Sequence, residues 1–325
     1  HQDSVFGPYY PYHSYPAYTV VDSGGKIVFH DFSLSGLTGL SAFLADHTGG
    51  SGVYESSDYS KDGEVTALQT ATRGNGINIV LLGDAFSDRL VADGTYDGTM
   101  RKAMEHFFSE EPYKSFRDLF NVYAVNVVSK NEAYGSGAQT ALDGFFGDGT
   151  HVGGNDDKCR QYAMKVPGIT YDNIDDALII VMMNRTYYAG SCYMYYPSSG
   201  DYGQGLSIAY FPLGTDDGMF GQLLHHEAGG HGFPKLADEY AYEEYGQIPW
   251  NEVKSAKQLE PYGWWRNIDF TGDVSQVKWS RFITDPRYAA EVLGAYEGAD
   301  TYWSGVWRPT YNICLLYTSP SPRDA

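Results

Sequence analysis

The residues best equipped for chemistry lie in one stretch, Leu223 to Tyr240, which holds His225, His226, Glu227, His231, Asp238 and Glu239. Two histidines flanking a glutamate on a helix are the pattern of a zinc hydrolase, in which imidazoles bind the ion and the carboxylate serves as base. The usual spacing is H-E-x-x-H, because side chains four apart share one face of an α-helix. Here His226 and His231 are five apart. At about 3.6 residues per turn, a regular helix would set these imidazoles roughly 140° apart, too far to share an ion. A π-bulge absorbs one extra residue and returns them to one face. Gly229-Gly230 stands where that distortion is needed and is poor material for an undistorted helix. The spacing therefore predicts a locally widened helix.

Zinc also needs a third protein ligand and an open position for water. Gly232 and Pro234 follow His231 closely and should end the helix, letting the chain turn back. Asp238 is the expected third ligand, with the adjacent Glu239 as alternative or as a group that hydrogen-bonds the ligand shell. Glu227 is expected to take a proton from the attacking water and pass it to the leaving amine. His225 is expected to pack or hydrogen-bond beside the site. A buried histidine-rich helix without metal is the plain alternative. The interposed glutamate, the glycine pair, the helix breaker and the Asp-Glu pair within eighteen residues argue against it.

Elements on both sides must position this stretch. Ile77 to Leu82 is an apolar run ending at Gly83-Asp84, and Asn121 to Val128 and Ala177 to Met183 are two more, all reading as buried strands. Met100, Ala103, Met104, Phe107 and Phe108 recur at helical spacing before Pro112, a core stripe and not a cofactor box. Strands alternating with helices predict an α/β domain, a mixed sheet with flanking helices and an active-site helix. Residues 1–68 are rich in Tyr, Ser, Gly and Pro, with alternating runs at Tyr18 to Val21 and Lys26 to Phe29. They predict a partial N-terminal β domain. A boundary is expected within Thr70 to Gly76, and residues 69–313 form the expected catalytic domain.

The ends of the chain read differently. It starts at His1 without an initiator Met or signal peptide, so its start reads as processed or missing. Cys314 to Asp324 looks like a translated sequencing adapter, and residues 314–325 are set aside as a non-native tail. Two cysteines then remain, Cys159 and Cys192, in no metal-ligand spacing. One disulfide and an oxidising compartment are expected, with two buried free thiols as the alternative. The Asp- and Gly-rich segment Gly144 to Asp157 reads as a solvated loop, with a structural calcium ion as the bolder reading.

Composition excludes some functions. A net charge of −19 argues against binding a nucleic-acid backbone, which needs a basic face. No apolar run reaches the roughly 18 residues of a membrane-spanning helix. The 29 tyrosines suit loops that grip peptides or sugars, though tyrosine also fills ordinary cores.

The segment His226 to Tyr240 resembles the IgA-peptidase family of zinc metallopeptidases, especially its gut-bacterial branch. The family form reads like H-E-x-G-H-x-F-x-x-L-x-D-E-Y. His226, Glu227, His231, Phe233, Leu236, Asp238, Glu239 and Tyr240 match it, with one inserted Gly and with Pro234 where a Gly is usual. Leu82-Gly83-Asp84, Glu111-Pro112-Tyr113-Lys114, Lys158-Cys159 and Ala189 to Met194 also look like the family's catalytic domain, so the likeness spans roughly residues 70 to 313. The resemblance implies a metzincin-like fold, zinc as the metal, His226, His231 and Asp238 as ligands and Glu227 as base. It implies a Met-turn just beyond Asn312, where the adapter-like run begins. The leading expectation is a secreted, periplasmic or surface-held bacterial endopeptidase acting on protein or glycoprotein. The alternative is a surface glycan- or protein-binding protein on an inactive metallopeptidase scaffold, which would have no need of an intact Glu227.

Overall fold

The structure, a computed structural model, describes residues 18–21, 27–31, 54–135, 137–196 and 205–311. The adapter-like tail and most of the expected N-terminal β domain lie outside these residues. Contacts divide the chain into two units, residues 1–54 and 55–325. In the first, strand β1 (Tyr18–Val21) pairs antiparallel with β2 (Ile27–Asp31), at the two runs whose alternation reads as strand.

The second unit is built on a six-stranded mixed sheet. Its strands are β3 (Val65–Gln69), β4 (Ile77–Asp84), β5 (Phe120–Val125), β8 (Ala177–Met183), β9 (Ser191–Met194) and β10 (Ser207–Pro212), in the order β3-β5-β4-β8-β10-β9. The two-residue strands β6 (Phe145–Phe146) and β7 (Val152–Gly153) form a separate antiparallel pair. The four central strands are parallel, and β3 and β9 close the edges antiparallel. Strand β3 begins before residue 69, so a domain boundary at 68 would cut the sheet; the division falls after Tyr54.

Helices cover both faces, which is why β8 is apolar at every position. Its Leu178, Ile180 and Met182 pack under α2 (Thr95–Phe107) and α4 (Asp217–Leu224), together with Met100, Phe107, Phe220 and Leu224. Its Ile179, Val181 and Met183 pack on the opposite face with Cys159 and Ala163 of α3 (Asp156–Ala163). A short α1 (Asp88–Ala92) follows β4. A three-stranded sheet, β11 (Ala241–Gln247), β13 (Thr301–Arg308) and β12 (Tyr296–Ala299), adjoins α5 (Trp250–Leu259), and Ile248, Val253 and Val306 share its core. No helix among the described residues is long and apolar enough to cross a membrane.

This layering overturns the expected disulfide. Cys159 packs in the core on one face of the sheet and Cys192 against the core on the other, and both are free. The sheet separates sulfurs that would have to approach within about 2 Å. Burial pushes the Cys159 thiol up to about 12 and the Cys192 thiol upward as well. Both should resist alkylation in the folded protein, then react fully after denaturation without reductant. A Cys159–Cys192 peptide recovered from unreduced digests would refute this.

The calcium reading also fails. Asp143 pairs with Lys158, Asp157 pairs with Arg160, and Asp156 accepts hydrogen bonds from Tyr195 and Tyr210. Among the described residues, no group in Gly144 to Asp157 gathers the ligands a cation needs.

Candidate metal centre

The helix that carries the site starts firmly. The Asp216 side chain caps α4 by accepting from Met219 N at 2.9 Å. α4 then runs directly into a π-helix over His225–Gly232, with Phe233 N donating to the Ala228 carbonyl five residues back. The widened turn is where the five-residue spacing requires it. Closing a turn over five residues instead of four brings His226 and His231 together, their ring centroids 4.8 Å apart.

A π-helix that ends at Gly232 leaves carbonyls to be satisfied. The five-back partner of the Gly229 carbonyl would be Pro234, which has no N–H. The hydroxyl of buried Tyr113 donates to that carbonyl instead. Leu236 N serves the Gly230 carbonyl, and Lys235 Nζ serves that of Gly232. The chain reverses at Lys235, a buried residue in the left-handed region (φ 56°). Gly232 itself is required by packing, since a Cβ there would lie 2.7 Å from Leu178 Cδ1.

The reversal returns Asp238 to the two histidines. His226 Nε2 and His231 Nε2 are 3.3 Å apart, and Asp238 Oδ1 lies 3.5 and 3.2 Å from them. Atoms held by a tetrahedral zinc at about 2.0–2.1 Å sit roughly 3.3–3.4 Å from one another, so the triangle has the size zinc requires. The orientation fits too. His231 Nδ1 donates to the Leu236 carbonyl at 2.7 Å, which directs the Nε2 lone pair into the cluster. Asp238 Oδ1 is buried and, apart from the two imidazole nitrogens, has no hydrogen-bond partner among the described residues, as a ligand oxygen facing a cation site would be. Two imidazoles and one carboxylate are a donor set suited to zinc more than to calcium or magnesium.

The electrostatics point the same way. Burial, reinforced by His231, pushes His226 down to about 4. Burial pushes Glu227 up to about 8. Burial opposes a charge on His231 as well, but Asp238 outweighs it and holds that imidazole up at about 9. Burial likewise disfavours the Asp238 charge, yet His231, His226 and the Tyr240 hydroxyl together keep its pKa low. A divalent cation settles these opposed displacements by favouring neutral imidazoles and ionised carboxylates.

Glu227 projects from the same turn. It is 5% exposed, and its Oε1 lies 4.0 Å from His226 Nε2. Gly190 makes room for it, because a Cβ at that position would lie 2.1 Å from Oε1 and 2.7 Å from Cδ. His225, also buried, stands outside the cluster with Nε2 3.2 Å from Ser109 Oγ. Glu239 is outside it as well and accepts from Asn267 Nδ2 at 3.0 Å. Asn267 in turn clamps both backbone groups of Ala237, so Glu239 braces the loop behind Asp238 through an intermediary. The sequence alone does not mark Tyr113, Asn267 and Gly190 as site residues, although Tyr113 and Gly190 lie in family-like stretches.

The family model described as IgA Peptidase M64 matches residues 65–288. No curated protein matches the chain.

Proposed function

Because the chain belongs to the IgA peptidase M64 family, we propose that it is a zinc-dependent endopeptidase acting on protein substrates. The observation that carries this reading is the near-equilateral triangle of His226 Nε2, His231 Nε2 and Asp238 Oδ1. These three residues would hold the ion. Zinc, when bound, supplies Lewis acidity, polarising the scissile carbonyl and making water more acidic.

This chain's own residues do the rest. Glu227 accepts the proton of the attacking water and delivers it to the leaving amine. Its burial favours the proton-bearing form between those two transfers. Tyr240 hydrogen-bonds the Asp238 carboxylate and Leu236 the His231 ring, so these two ligands reach the cluster already oriented. Dialysis against a chelator should abolish peptide hydrolysis, and one equivalent of zinc should restore it. Hydrolysis that survives complete metal removal would end the proposal.

Gly190 gives a sharper test. Gly190→Ala forces the Glu227 carboxylate aside while leaving the three ligand atoms in place. A displacement of about 1 Å at a reacting group costs on the order of a hundredfold in turnover. Zinc content should stay at one per chain. A variant with wild-type turnover would show that Glu227 does not act from its observed position.

A glycoprotein substrate and a location outside the cytoplasm belong to this proposal as well. With Cys159 and Cys192 free, the location rests on the tyrosine-rich composition and not on cysteine chemistry. Activity in the culture fluid or periplasmic fraction of the source cells would support it, and activity confined to the cytosol would overturn it.

A further inference from the structure

A cleft of about 600 Å³ opens beside the metal-ligand cluster. Gly190, which abuts the Glu227 carboxylate, lines it, as does Tyr240, which bonds Asp238. The space therefore adjoins the cluster closely enough to take residues next to a scissile bond held there.

The walls have a consistent chemistry. Tyr187, Tyr188, Tyr240, Tyr242 and Tyr245 line the cleft, together with Asp148 and His151, which share one turn. Tyr240, Tyr242 and Tyr245 form a continuous strip, each successive pair of ring centroids 5.4 Å apart and tilted or edge-on. No lysine or arginine among the described residues lines the space. Arg185 lies over the Tyr187 and Phe146 rings, at 5.7 and 4.8 Å, without entering the lining.

Tyrosine faces attract the edge of another aromatic ring or a guanidinium plane. An entering carboxylate would lose water, meet no lysine or arginine among the described wall residues and face the field of a chain with net charge −19. We propose that this cleft is the specificity subsite beside the scissile bond, and that it selects a flat, non-acidic side chain, an aromatic ring or a guanidinium, against an acidic one. The proposal deepens the endopeptidase reading and rests on it.

The test uses fluorogenic peptides of one parent sequence carrying Tyr, Arg, Ala or Glu at each of three positions on either side of the scissile bond. Zinc-loaded wild type reports kcat/KM, and zinc-loaded Glu227→Gln reports Kd by fluorescence polarisation. At one or more positions Tyr and Arg should exceed Glu by at least about tenfold in both measurements. The Tyr242→Ala/Tyr245→Ala double variant should shrink that ratio below about threefold, while Tyr245→Phe, which keeps the ring, should preserve it. Tyr245 is 47% exposed, so Tyr245→Ala alone supplies a folded variant with a reduced ratio should the double variant misfold.

Glu tolerated as well as Tyr at every position, or a ratio unchanged in the alanine variants, would overturn the subsite. Hydrolysis without preference would overturn it and leave the endopeptidase reading standing. Preferential binding by Glu227→Gln with no hydrolysis by wild type would overturn the endopeptidase reading, and with it the cleft's place beside a scissile bond, leaving a cleft that only binds. Neither binding nor hydrolysis would overturn both.

Discussion

Replacing His231 with alanine is expected to weaken zinc binding by on the order of a thousandfold, since structural zinc sites gain about 10–16 kcal/mol from three or four ligands acting together. His231 is the centre of the cluster. Its Nε2 lies within 3.3 Å of both other ligand atoms, and its Nδ1 is anchored to the Leu236 carbonyl. Removing the ring leaves His226 and Asp238 facing each other at 3.5 Å, an incomplete set. The fold should survive, because the sheet core on either side of β8 involves neither the ring nor its anchor. Competition against a chromophoric chelator measures the affinity, and circular dichroism controls for folding. A folded His231→Ala protein that still holds one zinc with unchanged affinity would remove the metal centre from the proposal. Protonation offers a second view of the same competition. A proton and a metal ion contend for the same Nε2, so zinc affinity should rise with pH through the range where His231, held up at about 9, gives up its proton.

Much of this site is legible in the sequence because the departure from H-E-x-x-H comes with its own remedy. Five-residue spacing is incompatible with a shared ion on a regular helix, and Gly229-Gly230 makes the π-helix affordable in conformational terms. The strands of the parallel sheet were legible for a similar reason, since burial on both faces leaves an unbroken apolar run in β4 and β8. Strand β3 was not. It is a half-exposed edge strand, and nothing in its composition marks it as part of the sheet. The supports of the metal centre escaped for a different reason. Tyr113 reaches Gly229 across 116 residues and Asn267 reaches Ala237 across 30, distances over which no periodicity operates. The expected disulfide fails because cysteine parity says nothing about which face of a sheet each sulfur occupies. Gly190 sits in a stretch that resembles the family, but its reason for being glycine, the Glu227 carboxylate against its Cα, exists only in the folded chain.

The general base provides the test that separates an enzyme from a retired scaffold. Glu227→Gln preserves the shape of a side chain that fills a tight space against Gly190, so the helix, the ligands and the cleft should keep their positions. It removes the ability to accept a proton. General-base catalysis contributes about 10²–10⁴-fold, and a loss of turnover of that size is the expected result. Zinc content should remain one per chain, because Glu227 stands outside the ligand triangle. KM should change much less than kcat, since the substituted atom acts on water and not on the bound peptide. Measuring kcat, KM and metal content on one preparation is therefore decisive in either direction. If Glu227→Gln retained turnover within about tenfold of wild type with zinc still bound, the proton would have to travel by another route, and Glu227 would lose its assigned role. If wild type and variant both bound peptides equally and neither cleaved any, the binding-scaffold reading would replace the peptidase. That reading must also explain why the chain holds a carboxylate 5% exposed beside the three ligand residues. A surface that only binds gains nothing from such a group, whereas metal-assisted hydrolysis needs a proton carrier at that place.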